Sequence, residues 1–398
     1  MIIDFKKITW LPCLIILVLT MRMCIALAEM EMPALSYGFL AIELLSFLLM
    51  SFLYFKEGII TKYLFFVILY QLLLLAFSIL NGTNAKDSFY LGCGCILIVI
   101  MMEYYKERLS MILFAFSIAF SICVYMNFFH LMTHPHLWLI DENKSLTGYL
   151  LGNNYNQMGC RILCAVAINI LCFRLKKFWI INTIPLIIVS VATVAIVRSM
   201  TSLTLITLFL VFCFLPSKKL QRTGIISLLV FYVFFQIFVC FNGKGLENNE
   251  LAVYFIEDVL KKDITFTNRT ELWDAAAHAF MQSPIIGYGF VDSDWYFSHM
   301  SSAAMGPHNF IYSVLINGGI VLLLVFIVIF IQATKKAFTI NDRNTNVLLA
   351  ATAVLLFMMT MEVYPLSFIL LLLSLVYYRP WIDDKPQISL ELSTIQVS

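Results

Sequence analysis

Apolar runs of about 20 residues recur from one end of this chain to the other. That is the length a helix needs to cross the hydrocarbon core of a bilayer. Twelve spans are expected, at 8–28, 34–55, 62–80, 88–105, 110–132, 159–175, 178–197, 199–215, 222–241, 311–333, 345–361 and 363–378. Only 13% of the residues are charged, against roughly 25% in soluble domains. The expected fold is therefore all-α: a polytopic helical membrane protein, one integral domain over 1–398 with about 12 transmembrane helices.

The placement of charge gives an orientation. With the N-terminus inside, the short inside segments carry the basic clusters Lys6–Lys7, Lys106 with Arg108, Lys176–Lys177, Lys218–Lys219 with Arg222, and Lys335–Lys336. The outside segments hold far more residues but fewer cations, as the positive-inside rule requires. Both termini are then expected to be cytoplasmic. The loop 242–310, between the ninth and tenth spans, faces out, and 379–398 forms a cytoplasmic tail expected to be disordered. Lys6–Lys7, the run after them and Ala26-Leu27-Ala28 resemble a signal peptide. Arg22 interrupts that run, so it is read as a retained first span.

Nine spans, one long loop and three spans make an asymmetric layout without the repeated halves common in transporters. Charge inside the spans is scarce; Arg22 and Glu43 lie at similar depth in neighbouring spans and are expected to pair. The ten cysteines fall in or beside apolar runs, without zinc-type spacing, and are expected to be free. His130, His134 and His136 read as interfacial side chains, and no metal or cofactor is implied.

The polar chemistry concentrates in Asn268–Gly319. Residues 249–262 suit an amphipathic helix lying on the membrane. A second helix should start at Asn268, which has capping spacing to Glu271, and run to about Gln282 before Ser283-Pro284. Arg269, Trp273, Ala276 and Phe280 would share one face of it. A guanidinium beside free N–H groups at a helix start suits a phosphate or diphosphate; a surface salt bridge from Arg269 to Glu271 or Asp263 is the plain alternative. Arg198 is a second cation at the outer interface, in a hairpin almost too short to be a loop, where snorkelling to headgroups is the alternative.

Pro284, Gly287 and Gly289 specify a tight turn. Asp292, Asp294, Trp295 and Tyr296 follow, acids and aromatics suited to the edges and faces of sugars. His308 comes just before a long helix, where the positive end of the dipole favours a neutral imidazole able to act as a base. Asn309 is a natural cap, and Gly318 and Gly319 permit close helix packing further along.

Taken together, Arg269-x3-Trp273, the S-P-I-I-G-Y-G run, His308-Asn309 and the later Gly319 resemble the O-antigen polymerase and ligase superfamily. The twelve-span layout with its large extracytoplasmic loop after the ninth span agrees. The resemblance implies a metal-independent, inverting glycosyltransferase of a bacterial cytoplasmic membrane that uses undecaprenyl-diphosphate-linked glycans. It implies Arg198, Arg269 and His308 as catalytic residues, with Asn309 and Trp273 beside them; Trp295, Tyr296, Asp292 and Asp294 are placed around the substrate by their residue types. It also implies a flippase and a chain-length regulator as partners, and no nucleic acid. Repeat-unit polymerisation is the reading favoured here. Ligation onto a lipid or protein acceptor and lipid-linked oligosaccharide transport are the alternatives. The chain departs from the pattern at Leu322, where the family often has a small residue or Tyr, and at Ser202, where the ligases have a Leu that here stands next to it as Leu203.

Overall fold

The computed structural model describes residues 6, 8–26, 32–138, 148–152, 154–248, 250–254, 269–300, 306–382 and 394–396. Among them, eight helices are long and apolar enough to cross a membrane: α2 (Pro33–Phe55), α3 (Lys62–Leu80), α4 (Ala85–Tyr104), α5 (Leu109–Thr133), α6 (Met158–Leu175), α7 (Ile180–Ile196), α9 (Lys218–Phe235, continued by a π turn to Cys240) and α13 (Phe310–Thr334). Four apolar helices are shorter: α1 (Trp10–Cys24), α8 (Met200–Phe214), α14 (Arg343–Met358) and α15 (Leu366–Tyr377). The loop contributes α10 (Glu250–Val253), α11 (Arg269–Gln282) and α12 (Ser293–His299). The protein is an all-α, polytopic membrane protein, and the twelve apolar helices follow the twelve expected segments.

Burial separates the interior helices from the outer ones and explains why α15 can be short. α6 is buried from Met158 to Cys172 and α15 from Leu366 to Val376. Apolar on every side, they belong in the middle of the bundle. α2, α7 and α9 instead expose large apolar side chains such as Phe52, Ile181 and Val230 outward, as lipid-facing helices do. At 12 residues, α15 reaches only about 18 Å, short of a hydrocarbon core of about 30 Å. Irregular backbone at membrane depth is tolerated when protein surrounds it. The expected spans 345–361 and 363–378 accordingly shrink to α14 and α15, and 359–365 becomes an irregular linker inside the bundle.

α13 departs most from a simple span. Gly318 (φ −149°, ψ 18°) and Gly319 (φ 59°, ψ −159°) break it within the membrane segment. The outer loop fills the break. Tyr288 and Gly289 donate their backbone N–H groups to the carbonyls of Ile316 and Asn317, each at 2.8 Å. Ile320 and Val321 donate to the carbonyls of Pro284 and Ile285 at 2.9 and 3.3 Å. In lipid each such group left unpaired costs several kcal/mol, so the Pro284–Gly289 turn and α13 complete each other. A Cβ on Gly319 would collide with the Ile285 carbonyl, and one on Gly287 with the Ile316 carbonyl. The two glycines thus serve a helix break that receives a loop, where the sequence had suggested helix–helix packing.

The same turn is fastened to the α3–α4 hairpin. Thr83 Oγ1 donates to the Tyr288 carbonyl at 2.9 Å, Phe290 N–H to Ser78 Oγ at 2.8 Å, and Asn84 N–H to the Phe290 carbonyl at 3.0 Å. Arg22 and Glu43 pair at 2.6 Å, and all ten cysteines are free. The tail departs from the expected disorder at Thr394–Gln396 (β2), which pairs antiparallel with Ile59–Thr61 (β1). The expected cap Asn268, the alternative partner Asp263 and most of the amphipathic stretch 249–262 lie outside the described residues; α10 is the part of that stretch that is described.

Candidate functional site

Two backbones stand out. Among the described residues, the non-glycine positions with positive φ are Arg198 (55°) and His308 (45°). Left-handed conformations cost an ordinary residue about 1–3 kcal/mol and tend to persist where function retains them. At Arg198 the cause is local: Arg198 N–H bonds the Ala195 carbonyl and Ser199 N–H the Val194 carbonyl, both at 3.0 Å. This double bond pattern closes helices through a left-handed residue that is usually glycine. An exposed arginine occupies it here. Ser199 Oγ and Ser202 Oγ meet at 2.9 Å at the start of α8, and a Cβ on Gly159 would press on Ser202 and Met358. The α7–α8 hairpin therefore lies by the start of α6 and the end of α14.

His308 is set by its neighbours on both sides. Asn309, fully buried, caps α13 by accepting from Tyr312 N–H at 3.1 Å. Its amide N–H groups donate to Gln236 Oε1 at 3.0 Å and the Thr360 carbonyl at 3.3 Å. Phe310 N–H donates to the Met359 carbonyl at 2.8 Å. These bonds seat the start of α13 on the 359–365 linker and bring His308 Nδ1 to 3.2 Å from Glu362 Oε1. The separation is that of a hydrogen bond, but the approach lies off the ring N–H axis, and Nδ1 has no aligned partner. Such contacts commonly tighten once substrate is bound. The ring is partly exposed while Glu362 is buried, with Oε1 also accepting from Val363 N–H at 3.1 Å.

Glu362 is the residue that sequence reasoning passed over. It is the one charged residue between Arg343 and Arg379, and that isolation was the available sign. Next to it Tyr364 is buried, with its hydroxyl donating to the Asn156 carbonyl at 3.2 Å.

α11 ends at Gln282 as expected. Trp273 and Ala276 are buried against Val291, Tyr296, Tyr312 and Ile316, so this face of α11 packs on α12 and α13. Half-buried Arg269 opens the helix, and Glu271 pairs with Lys244 at 3.0 Å. Of the residues expected around a substrate, Trp273, Tyr296 and Asn309 are interior side chains that support the loop. Burial likewise raises the Tyr296 hydroxyl above its ordinary range. Asp292, Asp294 and Trp295 instead line an open groove of about 490 Å³ with Thr83, Asn84 and Ser298. Trp295 stacks on His299 at 4.3 Å, and Asp292 caps α12 through Trp295 N–H at 3.1 Å. Among the described residues no group of three or more His, Cys, Asp or Glu forms a candidate metal site.

Residues 158–327 match a family model described as O-antigen ligase. The match runs from the first residue of α6 into α13, spans Arg198, Arg269, His308 and Asn309, and supports the O-antigen polymerase and ligase superfamily. No curated protein matches the chain.

Proposed function

We propose, starting from that match to the O-antigen ligase family, that the chain polymerises lipid-diphosphate-linked oligosaccharide repeats at the outer face of a bacterial cytoplasmic membrane. The observation that carries the reading is the coincidence of strain and chemistry. Arg198 and His308, the residues held in left-handed backbones, are an exposed cation and a half-buried imidazole beside a buried carboxylate. In the proposed step, an acceptor hydroxyl oxygen attacks the anomeric carbon of the donor. The bond from that carbon to the phosphate oxygen breaks, and its electron pair leaves on the diphosphate. His308 takes the hydroxyl proton at Nε2; once Nδ1–H aligns on Glu362, 3.2 Å away, the tautomer with Nε2 as the free base is favoured. Arg198 and Arg269 balance the charge that grows on the leaving diphosphate. The groove lined by Asp292, Asp294 and Trp295 would receive sugar rings of the growing chain.

Arg198→Gly separates strain from function. Glycine accepts the left-handed backbone without a Cβ penalty, so thermal stability should stay within about 1 kcal/mol of wild type while donor binding falls. Loss of folding together with binding would make Arg198 a structural residue and remove its proposed role.

Ligation is the second reading, favoured by the description that the family model carries. The two separate in vitro. Purified protein given only a lipid-diphosphate-linked repeat should build a ladder of products; a ligase would stay inactive until a distinct lipid acceptor is added. The proposed orientation is tested by a cysteine in place of half-buried Ser293 at the start of α12. It should react with an impermeant thiol reagent in intact cells, and labelling only after permeabilisation would reverse the topology.

A further inference from the structure

A second charged cavity lies at the same end of the bundle. It has a volume of about 300 Å³ and is lined by Arg22, Glu43, Asp87, Tyr90 and Arg161 among others. It sits between the end of α1, the start of α4, the start of α6 and the start of α15. Leu91 and Pro365 are shared with a more apolar cavity of about 340 Å³ that reaches Tyr364, Ser313 and Asn317, next to the His308–Glu362 linker. The first cavity therefore adjoins the proposed catalytic site without containing it.

Its charges are not equally satisfied. Glu43 is buried and paired with Arg22. Asp87 is exposed at the rim, where Asn84 Nδ2 donates to it at 2.7 Å. Arg161 is 5% exposed, and among the described residues no carboxylate lies within ion-pair distance of it. Its Nη1 donates to the Gln157 carbonyl at 2.7 Å, its guanidinium lies 5.1 Å from the Phe368 ring centre, and its Nε is buried without a partner. A buried charge lacking a counter-ion is among the costlier features a fold can hold. The backbone nonetheless makes room for these groups. A Cβ on Gly152 would come within 2.5 Å of Arg161 Nη1, and one on Gly94 within 2.7 Å of Glu43 Oε1.

We infer that this cavity binds an oxyanion of the glycan substrate, a phosphoryl or carboxylate group, with Arg161 as its ligand. A guanidinium with an unused N–H edge matches either group in a forked geometry. The inference deepens the reading above and rests on it for the identity of the substrate. A polymerase must hold two lipid-linked chains at once, one giving and one receiving; the Arg198–Arg269 pair serves the leaving diphosphate, and Arg161 holds the anionic group of the receiving chain.

The test measures binding apart from turnover. Thermal unfolding of purified full-length protein is followed in titrations with inorganic phosphate, with glucuronate and with neutral glucose. Wild type should be stabilised by phosphate, which assigns a phosphoryl ligand, or by glucuronate, which assigns a carboxylate, and not by glucose. In an Arg269→Ala background, which removes the contribution of the proposed diphosphate site, the shift should persist, and adding Arg161→Gln should remove it. Arg161→Lys retains charge without the fork and should bind roughly tenfold or more weakly, which gives the answer should Arg161→Gln fold poorly. No shift in wild type with either anion, or an unchanged affinity in the Arg161 variants, overturns the inference. Its fate is separate from that of the catalytic reading: an absent shift beside full dependence of turnover on His308 removes only this cavity, and the opposite pair of results removes only the mechanism.

Discussion

Replacing His308 should lower polymer formation by about 10²–10⁴-fold, the usual contribution of a general base, while leaving donor binding near wild type. The choice of replacement matters because His308 has φ 45°. Histidine, like asparagine, is several-fold enriched in left-handed backbones and alanine is not, so His308→Ala mixes lost chemistry with some lost stability. Asparagine is several-fold enriched in that conformation and cannot serve as a base. His308→Asn is therefore the sharper variant: folded yield and melting should match wild type while turnover collapses. Glu362→Gln keeps the shape beside Nδ1 and removes the carboxylate; misorientation of the base should cost about 10- to 10²-fold. Assays would use a lipid-diphosphate-linked repeat with binding measured separately. A well-folded His308→Asn protein with wild-type turnover would falsify the mechanism.

The largest effect on folding is expected at Gly319. Its backbone (φ 59°, ψ −159°) belongs to a region open almost only to glycine, and an added Cβ would run into the Ile285 carbonyl. Conformational strain of about 1–3 kcal/mol combines with a clash against backbone, which has little room to move. Relieving the clash would part the turn from α13 and break hydrogen bonds such as Tyr288 N–H to the Ile316 carbonyl. Total stabilities are commonly about 5–15 kcal/mol, so Gly319→Ala should sharply reduce folded protein recovered in detergent. Gly38→Ala is the contrast. Gly38 lies within α2 with nothing within 4 Å of its added Cβ, so alanine should be neutral or stabilising by about 1 kcal/mol. Equal melting of wild type and Gly319→Ala would show that the break is not held by glycine.

The long helices were legible because hydropathy and charge fix where a span can lie. α3 occupies Lys62–Leu80, the expected segment, and α11 ends at Gln282 before Ser283-Pro284. Legibility stopped where protein, and not lipid, surrounds the backbone. Residues 359–361 and 363–365 are mostly apolar and read as helix, yet buried hydrogen bonds hold them as the linker that carries Glu362. Hydropathy measures removal from water and does not distinguish a helix from an irregular segment enclosed by other helices. Trp273 and Asn309 were assigned to substrate through the resemblance and Tyr296 on residue type, while their burial depends on α11 and α12 packing over α13. Arg198 and His308 drew attention as residue types; their left-handed backbones could not be foreseen, because neither is glycine.

The break in α13 has a consequence for exchanging specificity between relatives. The turn at Pro284–Gly289 supplies the hydrogen-bond partners that two stretches of α13 do not give each other. It is also fixed to Thr83 and Asn84 in the α3–α4 hairpin, so three parts of the chain, distant in sequence, form one inheritable unit. A chimera that imports a foreign outer loop alone would pair a new turn with an old helix break. One that imports 269–321 together with the tip of the α3–α4 hairpin would carry its own matching surfaces, and this larger block is the one to exchange when the proposed glycan preference is put to the test.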